Sequence, residues 1–143
     1  MKKLLAELKN SLGEIHCIVD YDVNKGLIYA EWKGYHTVED VQRGCLTILE
    51  FLETNKGKYT GLVSDISKVE GAWEEANGWI ATEFIPRAIA AGLRKIGHLL
   101  GSDVFSQMSD EALRVNLAGI ITIASFDKSE EVLKWLLEEP VLA

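Results

Sequence analysis

The stretch "GLIYAEWKGYHTVEDVQRGCLTILEFLETNKG", residues 26–57, changes its apolar period halfway along. Ile28, Ala30 and Trp32 alternate, as on a strand with one buried face. From Val38 the spacing becomes helical, with Val38, Val41, Cys45, Ile48 or Leu49, and Leu52 on one stripe. Thr37 is suited to the N-cap, Glu39 and Asp40 complement the helix dipole, and Gly57 supplies a stop. Immediately upstream, "EIHCIVDYD" (14–22) alternates through Ile15, Cys17, Val19 and Tyr21. Asn24 and Gly26 of "VNKG" provide a tight turn, so the two strands are expected to form an antiparallel hairpin.

Working outward, the same alternation of element types continues. "YTGLVSDIS" (59–67), "LRKIGHLLG" (93–101) and "GIITIASF" (119–126) are β-rich runs that need burial. "GAWEEANGWIATEFIPRAIAAG" (71–92) is a helix that must bend or restart near Phe84–Ile85, because Pro86 removes a main-chain donor. "SDVFSQMSDEALRVN" (102–116) reads as one or two short helices capped by Ser102 and Ser109. The last helix is expected to open on a capping box of Asp127 and Glu130, to bury Val132, Leu133, Leu136 and Leu137, and to end at Pro140. Residues 2–10 have helical spacing through Leu4, Leu5 and Leu8, with Lys2, Lys3 and Lys9 on a solvated tip. Apolar strands alternating with helices demand a largely parallel sheet. The expectation is therefore a single α/β domain over 1–143, with a mixed, mostly parallel sheet, an N-terminal β-hairpin and covering helices.

The 143 residues, 48% of them apolar, suffice for one substantial core. Fifteen basic against 22 acidic residues give a net charge of −7, which repels nucleic acid and anionic membranes. No apolar run approaches the roughly 18 residues of a membrane span, and Glu7 and Lys9 interrupt any secretory core after "MKK". Cys17 and Cys45 lack CxxC spacing and read as buried, reduced thiols, which points to a cytoplasmic protein.

Enzyme chemistry finds little support. His16, His36 and His98 are far apart, without HxxxH or HExxH spacing. There is no GxSxG elbow, P-loop or GxGxxG. His98 is expected to be a hydrogen-bonded core imidazole and His36 to be exposed. No catalytic residue, metal or cofactor is expected.

Three pieces resemble the STAS-like (SpoIIAA-like) superfamily, which includes anti-sigma-factor antagonists and domains of sulfate transporters. They are "IYAEWKGYHTVED", "WEEANGWIATEFIPRAIAAGLRKI" and "GIITIASFDKSEEVLKWL", which in order span nearly all of the chain past residue 25. The nearest likeness is to small, stand-alone bacterial members. The resemblance implies the SpoIIAA-like fold and a regulatory, protein-binding role. In antagonists a strand ends in an aspartate, and a serine opening the second helix is phosphorylated. Here Asp65 matches the aspartate, whereas the helix opens on Trp73, Glu74 and Glu75, and Ser67 falls earlier, in the loop. A phosphorylation switch is therefore not expected, although carboxylates at the helix start resemble a permanently charged form.

In open α/β sheets ligands gather at the carboxyl ends of the strands. That rim carries Asp65, Ser67, Trp73, Asn77, Gly101, Ser102, Asp103, Phe126 and Asp127. Ser102 could cradle an anion at a helix start, but the three aspartates oppose one. Trp73 and Trp79, six apart, point from different sides of a helix, one to the core and one near the surface. Two functions follow. One is a non-enzymatic interaction or regulatory module with a protein partner or as a homodimer, recognising through Asp65, Ser67, Trp73, Asn77, Trp79, Ser102 and Phe126. The alternative is a carrier of a small apolar ligand or lipid, with Trp73, Trp79, Ile80, Phe84, Phe105 and Phe126 lining an internal pocket.

Overall fold

The computed structural model describes residues 1–71, 73–102 and 104–138, with the main chain alone for Glu74, Val104, Phe105, Ser106 and Ser109. Six strands form one sheet in sequence order: β1 (Lys3–Lys9), β2 (Ile15–Asp22), β3 (Leu27–Gly34), β4 (Gly61–Val69), β5 (Lys95–Leu99) and β6 (Thr122–Phe126). β1–β2 and β2–β3 pair antiparallel, and the remaining three pairings are parallel. The mixed, mostly parallel α/β sheet with its hairpin is as the sequence predicts.

The period change after β3 works as expected. Thr37 and Asp40 form a reciprocal capping box at the start of α1 (Val38–Thr54), and Val41, Cys45, Ile48, Leu49 and Leu52 are buried. Gly44 completes that face. A Cβ there would lie 2.3 Å from the Trp32 ring, so the missing side chain lets the indole tuck beneath α1.

Pro86 has the predicted effect. α2 (Glu74–Trp79) passes into a π-helical segment, Ile80–Phe84, and α3 (Ile85–Ala90) restarts with the proline in its first turn. The Ile85 N–H bonds the Ile80 carbonyl five residues back, so a widened turn absorbs the interruption. α4 (Val104–Leu117) is one helix running through Ser109, so no second helix starts there. Ser102 is an exposed bend before it.

Two termini of elements differ from expectation. Residues 3–9 form strand β1, not a helix, because a register shift between Leu4 and Ala6 turns Leu4 to one face and leaves Leu5 and Leu8 against the core on the other. The bulge mimics helical spacing. α5 (Ser129–Leu137) has Lys128 at its N-cap with no side-chain bond, so Asp127 does not cap it. Val132 and Leu136 are its buried residues, while Leu137 is 47% exposed. Asp103 and Pro140 lie outside the described residues, as do the side chains of Glu74, Phe105 and Ser109.

The helices divide unevenly between the two faces. α1, α2, α3 and α4 share one core with Cys17, Val19, Ile28, Ala30 and Trp32. The opposite face carries α5, whose Val132 and Leu136 pack with Leu27 and Val63. α5 lies over β4, β5 and β6. Two glycines seat it: a Cβ on Gly97 would meet Val132 at 2.7 Å, and one on Gly61 would meet Leu136 at 3.4 Å and Leu27 at 2.5 Å. Among the described residues no helix covers β1 or β2 on this face, while the start of β3 is buried through Leu27 beside α5. No helix there is long and apolar enough to cross a membrane.

Candidate functional site

The sheet splits the expected rim into two layers. Asp65 faces the α5 side, where Glu31 and Leu99 stand beside it in register. Phe126, next in that row, packs on Trp135 at 5.7 Å between ring centres. Trp73, Asn77, Ile80 and Phe84 lie on the other side, in or against the main core. Phe126 therefore cannot share an internal pocket with Trp73, Ile80 and Phe84. Asp65 and Ser67 are neighbours inside β4, which runs on to Val69; neither ends the strand nor lies in a loop. The Ser67 hydroxyl and N–H both donate to Asp65 Oδ1, at 2.6 and 2.9 Å. Trp79 is half-buried against the core, and Trp73 is buried, so the two indoles divide as their spacing implies. Asn77 is 2% exposed, and its amide nitrogen and oxygen have no hydrogen-bond partner among the described residues.

Ala30, Trp32, Cys45, Trp73, Phe84 and His98 surround one void of about 30 Å³ in the main core. That is about the space of one water molecule.

The histidines form two sites that sequence spacing did not join. On β5, His98 Nδ1 lies 2.9 Å from Asp110 Oδ1 of α4, and both side chains are buried. Ser125 of β6 donates to the same oxygen, and Arg114 Nε donates to Oδ2 at 2.9 Å. Burial alone would push the Asp110 carboxyl up, but His98, Ser125 and Arg114 hold it below the usual carboxylate range. The residues are those of a catalytic triad in a different connection. Ser125 gives its proton's bond to the carboxylate, not to the imidazole, so no base activates the hydroxyl. The network fastens α4 to β5 and β6. Asp110, Arg114 and Ser125 were missed in the sequence; the i,i+4 spacing of Asp110 and Arg114 was their one signal.

The second site joins β2, the β3–α1 turn and α1. His36 is half-buried, not exposed as expected, and its ring lies edge-on to His16, Trp32 and Trp73 at 5.2–5.6 Å. Its Nε2 is 2.9 Å from the His16 carbonyl, so that nitrogen carries the hydrogen. His16 Nε2 accepts from Arg43 at 2.8 Å, and Arg43 also donates to the Lys9 carbonyl at 2.6 Å. The His16 Nδ1 is buried and has no hydrogen-bond partner among the described residues. Burial lowers the pKa of both imidazoles from 6.5; Asp40 opposes this at each, while Arg43 reinforces it at His16. Both rings are held neutral. A shallow pocket of about 230 Å³ opens beside His36, Trp73 and Glu75.

The cysteines cannot act as nucleophiles in this setting. Burial pushes the Cys17 thiol up to about 12 and raises that of Cys45 as well. Cys17, on β2, has two strands between it and His98 on β5. Among the described residues no group of three or more His, Cys, Asp or Glu side chains could hold a metal ion.

A concavity of about 460 Å³ on the α5 side runs between α5 and strands β2 and β3. Ile18, Tyr29, Val63 and Leu133 give it an apolar floor and wall, and Asp20, Glu31 and Asp65 give it charge. Compared with known proteins, the chain matches no family model, no curated protein and no solved structure.

Proposed function

We propose that this chain is a non-enzymatic regulatory or protein-interaction module of STAS-like kind, working in the cytoplasm without a phosphorylatable serine at its second helix. The observation that carries this reading is the half-dressed sheet: among the described residues β4–β6 have helices on both faces, whereas β1 and β2 have them on one. A sheet face left open beside a groove is a surface for association. The polar networks support the same reading, because each ties elements together and none presents an activated nucleophile. The partner is a second protein or a second copy of the chain. The small void of about 30 Å³ in the main core is the reason for preferring this reading to a carrier of small apolar ligands.

Light scattering and native mass spectrometry across protein concentration test it. A dimer, or a stoichiometric complex with a defined protein, is expected. A monomer that carries a bound lipid, or turnover abolished by one polar substitution such as His98→Ala, would sink the proposal.

A further inference from the structure

We infer that Arg43 is a proton-released latch: it fastens the end of β1 to α1 while His16 is neutral, and a proton taken up by His16 hands the imidazolium to Asp40 and frees the β1–β2 turn. The inference concerns regulation of the fold and stands independently of the interaction-module reading. One guanidinium nitrogen, Arg43 Nη2, donates to the Lys9 carbonyl at 2.6 Å and to His16 Nε2 at 2.8 Å. A guanidinium has no lone pair to offer, so His16 Nε2 is the acceptor and the hydrogen of this ring sits on Nδ1. The latch therefore closes only on a neutral imidazole. Its three anchors lie on different elements: Lys9 ends β1, His16 is near the start of β2, and Arg43 is in the second turn of α1.

The surroundings of the ring supply a second arrangement. Among the described residues the charged and titratable groups acting on His16 are Asp40 and Arg43 of α1 and His36 of the β3–α1 turn, while β1 contributes the Lys9 carbonyl. Asp40 Oδ1 is 3.5 Å from Arg43 Nη2 and 4.0 Å from His16 Nε2, so one oxygen stands near both. A proton from solvent adds to the Nε2 lone pair, which breaks the Arg43 bond and sets two cations side by side. Arg43 yields, because its side chain is 50% exposed and that of His16 only 1%. The new N–H then donates to Asp40 Oδ1, whose sister oxygen still accepts from the Thr37 N–H at the α1 cap. The Lys9 carbonyl exchanges its donor for water. The turn beyond it is left with bonds among residues 10–14. Burial pulls the imidazole below 6.5 against the opposing pull of Asp40, and Arg43 adds to burial, so the latch opens as pH falls below that value.

The test is site-resolved amide exchange by NMR, corrected for the intrinsic pH dependence of exchange. Between pH 7.5 and 5, protection at residues 8–16 should fall by about tenfold or more while β4 and β5 keep theirs, because local opening needs less free energy than unfolding. Arg43→Ala, at an exposed position, should bring the pH 5 behaviour to pH 7.5. His16→Gln offers Arg43 a carbonyl acceptor that does not titrate, and should keep the segment protected at both pH values. In the unsubstituted protein at pH 7.5, the ring-nitrogen shifts of His16 should place the hydrogen on Nδ1. A hydrogen on Nε2, unchanged protection in Arg43→Ala, or a pH response that survives in His16→Gln would overturn the inference. So would loss of protection in β4 and β5 together with residues 8–16, which is ordinary acid unfolding. Should His16→Gln not fold, Arg43→Ala and the ring tautomer decide alone.

Discussion

The two histidine sites are built from similar parts and solve burial in opposite ways. At the β5–α4–β6 site, one imidazole meets a carboxylate that is also held by a hydroxyl and a guanidinium. At the β2–α1 site, two imidazoles meet a carbonyl and a guanidinium, and the His16 Nδ1 has no hydrogen-bond partner among the described residues. The first stores its stability in a charge that is present; the second depends on a charge being absent. A buried polar group is safe when partnered and costly when its protonation changes without a partner.

Breaking the carboxylate site should have the largest effect. Asp110→Ala leaves His98, Ser125 and Arg114 without their shared acceptor, and a loss of about 3 kcal/mol is expected from urea unfolding. A loss below that of an ordinary surface substitution would show that α4 is held by packing alone. Ser125→Ala removes one bond to a charged group and should cost about 1.5 kcal/mol by the same measurement.

The comparison sharpens along the pH axis. His16 and His36 have folded pKa values below their usual 6.5, so the unfolded chain takes up protons that the folded chain refuses. Their contribution is complete above about 6.5 and is lost as pH falls from there towards the lowered folded values. Asp110 titrates in a separate window. Its folded value lies below the usual 3.8, so its contribution persists above 3.8 and is lost as pH falls through the lower folded value. Urea midpoints measured from pH 7.5 to 3 should therefore decline in two stages; a flat profile between 7.5 and 5 would refute the neutral histidine pair. The smallest effect is that of His36→Phe. At pH 7.5 the lost bond to the His16 carbonyl costs about 1 kcal/mol, offset by new apolar contact with Trp32 and Trp73. The same substitution should shallow the first stage of the pH profile, and an unchanged slope would mean His16 alone is responsible.

Much of the fold was legible because it is written locally. The period change after Trp32, the Thr37 cap and the Pro86 interruption each act within a few residues, and each operates as read. β1 was misread because its bulge resets the alternation, a fact that lies in pairing with β2 rather than in β1 itself. The expected site fared worse for a related reason. Sequence order places Asp65, Trp73 and Phe126 at one end of the strands, but only the sheet separates Asp65 and Phe126 from Trp73 across its thickness. Asp110 and Ser125 were invisible because their meeting with His98 spans 12 and 27 residues and needs three elements to assemble.

Gly61 and Gly97 act at a distance from any surface a partner would touch. They fix how deeply α5 sinks onto β4 and β5, and α5 is one bank of the channel beside Tyr29. Alanine at either position would lift or slide that bank, so the channel is gauged from beneath. Selectivity could then be retuned by a single buried methyl group, with every recognition residue left as it was.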